Sequence, residues 1–391
     1  MVGPMNRVYH DAMNTEPAAI QALIALSNHF GSQTDYVIAG GGNTSWKNEK
    51  TLWVKGSGQA LGTIQAEGFA KMDRAALAGL WTREFSADTD QREKQVLECL
   101  MAARLPGEEA KRPSVETLLH DLLPFAYVVH THPTLVNALT CAVDGQAAFD
   151  RLFAAEAVWI PLVDPGYVLS KVVKDALGAF LTRRGRVPQV IFLQNHGIVV
   201  AGDTPESVRA TYGRIAATLG GEIKNRADLD PQGVDPAAEA AFLQALAPVA
   251  RAALETDQVF SVRATGKTIL DLAAGDAAFH PLSSAFTPDH IVYMGVSPVR
   301  VDSVAGLKPA FADYTARYGK PPRVVLAPGL GAFCLGTSPK GAGQAHLLFL
   351  DAAKIAVASQ AFGGPLFMTK AAIDFIRNWE VEAFRSQVSG K

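Results

Sequence analysis

The chain has 391 residues, 48% hydrophobic and 19% charged, which exceeds one typical domain and suffices to bury a large core. A formal charge of -2 lacks the basic footprint of a polyanion binder, so no nucleic-acid partner is expected. Three scattered cysteines, Cys99, Cys141 and Cys334, form no C-x-x-C pair and no disulfide frame, which suits a reducing cytoplasm.

The opening residues MVGPMNRVYHDAMNTE are polar and acidic where a secretory signal needs an apolar core. No stretch approaches the ~18 uninterrupted apolar residues of a membrane helix. The nearest, AHLLFLDAAKIAVASQAF, carries Asp351 and Lys354 and reads as a buried helix. A cytoplasmic protein without membrane contact is expected.

Residues 15–30 have helical periodicity, with Thr15 as N-cap and Pro17 in the first turn. DYVIAGGGNTSW reads as a short strand running into glycines, and TLWVKGSG as a strand followed by a Gly-Ser turn. Residues 66–103 read as mostly helical, and PSVETLLHDLLPF as a helix starting near Ser114. AYVVHTHP is a strand, LVNALTCA and 147–155 are helical, and VWIPLVDPG is extended. Helical spacing resumes over 168–182. QVIFLQNHGIVVAG reads as a strand pair, and a long helix opens at Thr204-Pro205. DLDPQGVDPAAEA marks a linker near 227–238. Beyond it, HIVYMGVSP reads as a strand and RVVLAPGLGAFCLG as another strand region among helices, giving a second, smaller α/β domain. No internal repeat is read from the residues.

Residues i and i+2 of a strand face the same side, so His130 and His132 in V-V-H-T-H-P present two imidazoles together. A third, His196, ends another apolar run at Q-N-H-G. Three neutral imidazoles and an open position form a common catalytic zinc arrangement. His10, His29, His280, His290 and His346 have no such context and read as structural. Glu116 lies on the segment just before the H-x-H strand, where it serves either the helix dipole or the metal pocket. His120 is one turn further on and reads as a packing residue or a support to the pocket. Gly40-Gly41-Gly42-Asn43-Thr44-Ser45 and Lys55-Gly56-Ser57-Gly58 each follow a strand and offer backbone and side-chain donors to an anion.

In this order, G-G-N-T-S, K-G-S-G, P-S-V-E-x-x-x-H, H-T-H-P and N-H-G followed by G-D-T resemble the class II aldolase/adducin family, over about residues 20–225. With the tail motifs TPDHIVY and RVVLAPGLG, the whole length looks most like the aldolase part of bifunctional rhamnulose-phosphate aldolase/alcohol dehydrogenase proteins, stopping where the dehydrogenase would begin. The resemblance implies a three-layer α/β fold, with a central, mainly antiparallel sheet flanked by helices, over 1–230. The smaller α/β domain, 239–391, has no assigned role. It also implies a homotetramer and a zinc or similar divalent ion on His130, His132 and His196. Glu116 falls on the catalytic acid/base. Gly42 and Asn43, Ser57 and Gly58, and Ser114 fall on the phosphate-binding positions. Where fuculose-phosphate aldolases have a serine before the glutamate, Val115 removes one donor here, and Lys55 is a candidate to compensate.

The implied reaction cleaves a ketose 1-phosphate to dihydroxyacetone phosphate and a small aldehyde through an enediolate, with Glu116 moving the proton on carbon. Tyr167, after D-P-G, is a candidate for the proton on the other hydroxyl. The alternatives are a sugar-phosphate 4-epimerase or dehydratase of the same family, and an adducin-like scaffold without chemistry. Glutamate at 116 favours the aldolase, because the epimerases tend to carry aspartate there.

Overall fold

The structure, a computed structural model, describes residues 15–379; His10 and the polar N-terminal stretch before Thr15 lie outside them. The chain divides into two compact units. The first comprises the chain up to Pro133 together with Phe149–Ala217, and the second comprises Thr134–Ala148 together with the chain from Thr218 on. The short stretch after H-T-H-P therefore groups with the C-terminal unit.

The first unit holds strands β1 (Asn43–Lys47), β2 (Thr51–Lys55), β3 (Phe69–Asp73), β4 (Tyr127–Thr131), β5 (Ala157–Ile160), β6 (Val190–Leu193) and β7 (Gly197–Gly202). Their order is β3-β2-β1-β4-β7-β6-β5, antiparallel throughout except for the parallel β5–β6 pair. Alternation along the strands assigns the two faces. Val128, Ile191, Leu193, Val199 and Ala201 pack under the helix Tyr167–Arg184 and the short helix Thr117–Leu122, with Leu119, Val173 and Phe180. The opposite face meets the helix Glu16–Gly31, where Ser27 bonds Thr44 at 2.7 Å, and Tyr212, whose hydroxyl lies 2.7 Å from that of Thr131. Helix, sheet and helix form the three layers of a class II aldolase-like fold.

Several local expectations shift. The strand near the glycines follows them, at β1, because the turn occupies the residues before; β3 interrupts the expected helical stretch 66–103. Its short F-A-K-M-D run has mixed polarity, yet Leu52, Val54, Ala70 and Met72 form one buried cluster across β2 and β3. T-P-D-H-I-V-Y is the helix Pro288–Tyr293 rather than a strand, with Thr287 ahead of it and proline at its first position. The apolar helix around Leu348 has the length and apolarity of a membrane span over Pro339–Phe362, but 61% of its apolar 18-residue window is buried in protein.

The second unit contains an unexpected repeat. Its strands β8 (Phe260–Ala264), β9 (Val299–Arg300), β10 (Val324–Ala327) and β11 (Gly331–Gly336) are ordered β8-β11-β10-β9, with antiparallel, antiparallel and parallel pairings. That is the order and sense of β4-β7-β6-β5. Registers coincide: Leu193 faces Gly197 as Ala327 faces Gly331, and Val190 faces Val200 as Val324 faces Cys334. Counted 134 residues on, Gly185, Pro188, Gly197, Gly202 and Pro205 become Gly319, Pro322, Gly331, Gly336 and Pro339. Gly185 and Gly319 end the preceding helices at φ 68° and 67°. The second unit thus repeats half of the first sheet. Beyond these glycines and prolines few residues match between the copies, Val190 and Val324 among them, and most apolar strand residues have been exchanged for one another, so the residues alone do not advertise it.

Candidate metal centre

His130 stands near the end of β4, His132 just past it, and His196 in the tight turn joining β6 and β7. Hydrogen bonding aligns β4 with β7, Thr131 opposite Ile198, which brings the turn beside the H-T-H end. Gly197 makes this approach possible: a Cβ there would lie 2.4 Å from the Thr131 carbonyl oxygen and 2.8 Å from the His132 ring. Asn195 takes φ 53° to close the turn, a left-handed conformation that asparagine tolerates.

One ligand atom from each of the three histidines lies within 4.8 Å of the others. The His130 and His132 Nε2 atoms are 3.0 Å apart. His130 Nδ1 sits 2.9 Å from the Ile198 carbonyl oxygen, which only accepts, so Nδ1 carries a proton, and in the neutral ring Nε2 turns its lone pair inward.

Glu116 completes the cluster. It precedes the helix Thr117–Leu122 with φ -92° and makes no side-chain cap bond, so its carboxylate is not spent on the helix end. Ser114 Oγ instead accepts the Glu116 backbone N–H at 3.2 Å. One carboxylate oxygen, Oε2, accepts Asn43 Nδ2–H at 2.6 Å and lies 3.5 Å from His130 Nε2. The other, Oε1, is buried without a hydrogen-bond partner and lies 3.7 Å from His196 Nε2. Burial pushes this carboxyl up. The fields of His130 and His196, the Asn43 hydrogen bond and the field of His132 outweigh it and hold the group at about 2. The site therefore carries a fixed anion against three imidazoles.

These features fit a divalent cation. His130 Nε2 and His132 Nε2 converge to 3.0 Å, and a buried carboxylate oxygen without a hydrogen-bond partner lies beside the cluster, an arrangement of donors that suits a positive charge. Imidazole donors suit zinc and its neighbours.

The repeat supplies an internal comparison. His130 faces Val199 across the ladder as Arg263 faces Phe333 in the second copy. Thr265 stands at the place of His132, and Leu330 takes the turn position of His196, its N–H reaching the Ala327 carbonyl at 3.1 Å as His196 reaches Leu193 at 3.2 Å. The same frame folds without any of the three histidines.

The Lys55-Gly58 turn lies against the Arg112-Ser114 segment. Ser57 N–H donates to the Arg112 carbonyl at 2.7 Å, Ser114 N–H donates to that of Lys55 at 3.1 Å, and Gly56 bridges Pro113. Ser57 Oγ donates to the Pro113 carbonyl at 3.2 Å, and Gly58 has φ 84°. Gly42, at φ 66°, packs where a Cβ would lie 2.8 Å from the His130 carbonyl oxygen. Lys55 alternates with Val54, which faces the Glu116 side, so the lysine leaves the sheet on the opposite face and reaches the Gly40 carbonyl at 3.5 Å. Tyr167 is held in an aromatic cluster, its ring 4.9 Å from Phe85 and 6.4 Å from Trp81, with burial raising its hydroxyl above the ordinary range. Among the described residues it bonds neither Glu116 nor a site histidine.

Sequence reasoning undervalued His120. It is fully buried, with Nε2 on Asn43 Oδ1 and Nδ1 2.7 Å from Ser45 Oγ, while Lys47 Nζ donates to its carbonyl at 2.6 Å. Burial takes this imidazole down to about 3 and Lys47 down to about 7. The available signals were the N-x-S-x-K alternation of β1 and the four-residue spacing of Glu116 and His120.

The model of the class II aldolase and adducin N-terminal domain matches residues 21–216. An uncharacterized oxidoreductase, YuxG, of Bacillus subtilis (strain 168) is 24% identical over 94% of this chain, which spans 58% of that protein's length. A solved N-terminal class II aldolase domain of a conserved Thermoplasma acidophilum protein is 26% identical, covering 56% of this chain and all of that one, with a TM-score of 0.45. An L-fuculose-1-phosphate aldolase from Thermus thermophilus is 16% identical over 53% of this chain and 92% of its own, with a TM-score of 0.34.

Proposed function

Because the chain belongs to the class II aldolase and adducin family, we propose that it is a zinc-dependent, or similar divalent-metal-dependent, aldolase that cleaves a ketose 1-phosphate to dihydroxyacetone phosphate and a small aldehyde. The observation that carries this reading is the convergence of His130, His132, His196 and Glu116 in one copy of a frame whose other copy carries none of the histidines. Residues the fold does not require are there for chemistry, which also speaks against a scaffold role.

His130, His132 and His196 would hold the ion, and when bound it supplies Lewis-acid stabilisation of negative charge on substrate oxygens. Glu116, ionised and buried, takes and returns the proton on the carbon that becomes nucleophilic. Asn43 keeps that carboxylate aimed by donating to Oε2. The Ser57-Gly58 and Ser114 turns, tied to each other through the backbone, form the anion-binding rim. Catalysis belongs to the segment 1–230. Residues 239–391 follow it in the chain, as in bifunctional aldolase/dehydrogenase proteins, with no role assigned. The protein works in the cytoplasm as a homotetramer.

Elemental analysis of the purified protein, followed by retro-aldol assays on a panel of ketose 1-phosphates, tests the reading. About one divalent ion per chain and release of dihydroxyacetone phosphate are expected. A protein that takes up no metal from supplied zinc overturns the mechanism. Epimerised or dehydrated sugar phosphate in place of cleavage products moves the activity elsewhere in the family.

A further inference from the structure

Alternate residues of one strand share a face. Along β1 these are Asn43, Ser45 and Lys47, and all three meet His120: the amide of Asn43 at Nε2, the hydroxyl of Ser45 at Nδ1 and the ammonium of Lys47 at the carbonyl. All four are buried. Such a concentration of polar groups needs every donor matched to an acceptor.

The direction of each bond follows from the placing of one amide. Asn43 Nδ2 donates to Glu116 Oε2 at 2.6 Å, so the NH2 group faces the carboxylate. The amide oxygen of Asn43 then faces His120, which makes Nε2 a donor. Nδ1 is left as an acceptor, and the Ser45 hydroxyl donates to it. A flipped amide would set its oxygen against the carboxylate and its NH2 against the N–H of the ring. We propose that His120 is a positioning residue: as the neutral Nε2–H tautomer it locks the Asn43 amide with its NH2 toward Glu116, and so fixes the carboxylate against the three histidines. This rests on the aldolase reading for its catalytic consequence, though not for its geometry. It assigns one Asn43 N–H to Glu116 rather than to substrate.

The test uses the full chain as wild type, His120→Leu and His120→Gln, since the glutamine amide places an N–H near the position of Nε2. Long-range proton–nitrogen spectra of the wild type should show His120 as the Nε2–H tautomer, constant from pH 5 to 8. A Nδ1–H or doubly protonated ring overturns the proposal. The Asn43 side-chain NH2 should exchange slowly in the wild type and in His120→Gln, and quickly in His120→Leu. Equal exchange in all three overturns it. Zinc content should be the same in the three proteins. With a ketose 1-phosphate that the wild type cleaves, His120→Leu should lose about 10- to 100-fold in kcat, with KM within about twofold, and His120→Gln should recover most of it. Unchanged kcat in His120→Leu overturns the positioning role. Should the wild type cleave no ketose phosphate, the aldolase reading fails by itself, and the tautomer and the amide exchange still decide this proposal. Should His120→Leu fail to fold, the wild-type tautomer and the His120→Gln exchange rate decide it.

Discussion

The Nε2 atoms of His130 and His132 lie 3.0 Å apart, with the His130 proton committed to the Ile198 carbonyl on the far side of its ring. That arrangement turns a lone pair inward and leaves it facing a second imidazole. A divalent ion there would be held by three imidazoles, and removing one ring takes away a third of the protein ligands. The expected outcome is about one metal ion per chain in the wild type, and less than about a tenth of that in His132→Ala after dialysis. Inductively coupled plasma analysis reads both. Full metal content in the variant would place the ion elsewhere.

A sharper substitution comes from the repeat. Leu330 fills in the second copy the turn position that His196 fills in the first, with the same backbone hydrogen bond. His196→Leu should therefore fold. Its melting temperature in metal-free buffer should lie within about 4 °C of the wild type, since the change removes one imidazole neighbour of Glu116 and adds apolar surface. Metal binding should fall as in His132→Ala. Calorimetry of the apo proteins checks the first part. An unfolded variant would mean that the histidine is a requirement of the turn, and would remove the repeat as an argument for function.

Much of the histidine cluster was legible because its signals are local. The i, i+2 spacing of His130 and His132 needs only a strand, and His196 needs only a strand end. The central mainly antiparallel sheet followed from the motif order rather than from periodicity. What the residues hid depends on distant partners. The β1 strand looked like the tail of a glycine turn because its burial comes from Leu52 and Val54 on β2 and from Val128 and Val129 on β4. The role of His120 required knowing that Asn43, Ser45 and Lys47 would line up opposite it. The repeat stayed hidden because register and φ angles persist while side chains change, as with Asn195 at φ 53° and Gly329 at φ 71°.

Glu116→Gln separates holding the ion from moving the proton. Glutamine has the same shape, and its amide oxygen can take the Asn43 N–H in place of Oε2. The imidazole ligands are untouched, so metal content should remain near the wild-type level. Turnover should fall by about 10²- to 10⁴-fold, the usual worth of a positioned acid/base. Coupled detection of dihydroxyacetone phosphate reads the rate. Activity close to wild type would move the acid/base role to another group.

The buried network also sets a pH dependence of stability. His120 has an ordinary imidazole pKa of 6.5 in the unfolded chain, and burial depresses it to about 3 in the folded protein. Between these values the unfolded state binds a proton that the folded state does not. Stability is therefore complete above 6.5 and falls as the pH drops toward 3. Over the two units from pH 6.5 to 4.5 the loss attributable to this ring is about 2–3 kcal/mol, at ~1.4 kcal/mol per unit. Glu116, depressed from 4.5 to about 2, adds its own loss only below 4.5, so the upper window isolates the histidine. Urea unfolding of the apo wild type and His120→Gln at pH 7.0, 5.5 and 4.5 measures it. Glutamine does not titrate, and ionisations common to both proteins cancel in the difference. The wild type should lose about 2–3 kcal/mol more than the variant across the window. Parallel curves would mean that the ring accepts its proton in the folded state as readily as in water, which the donor sequence Ser45 to His120 to Asn43 to Glu116 forbids.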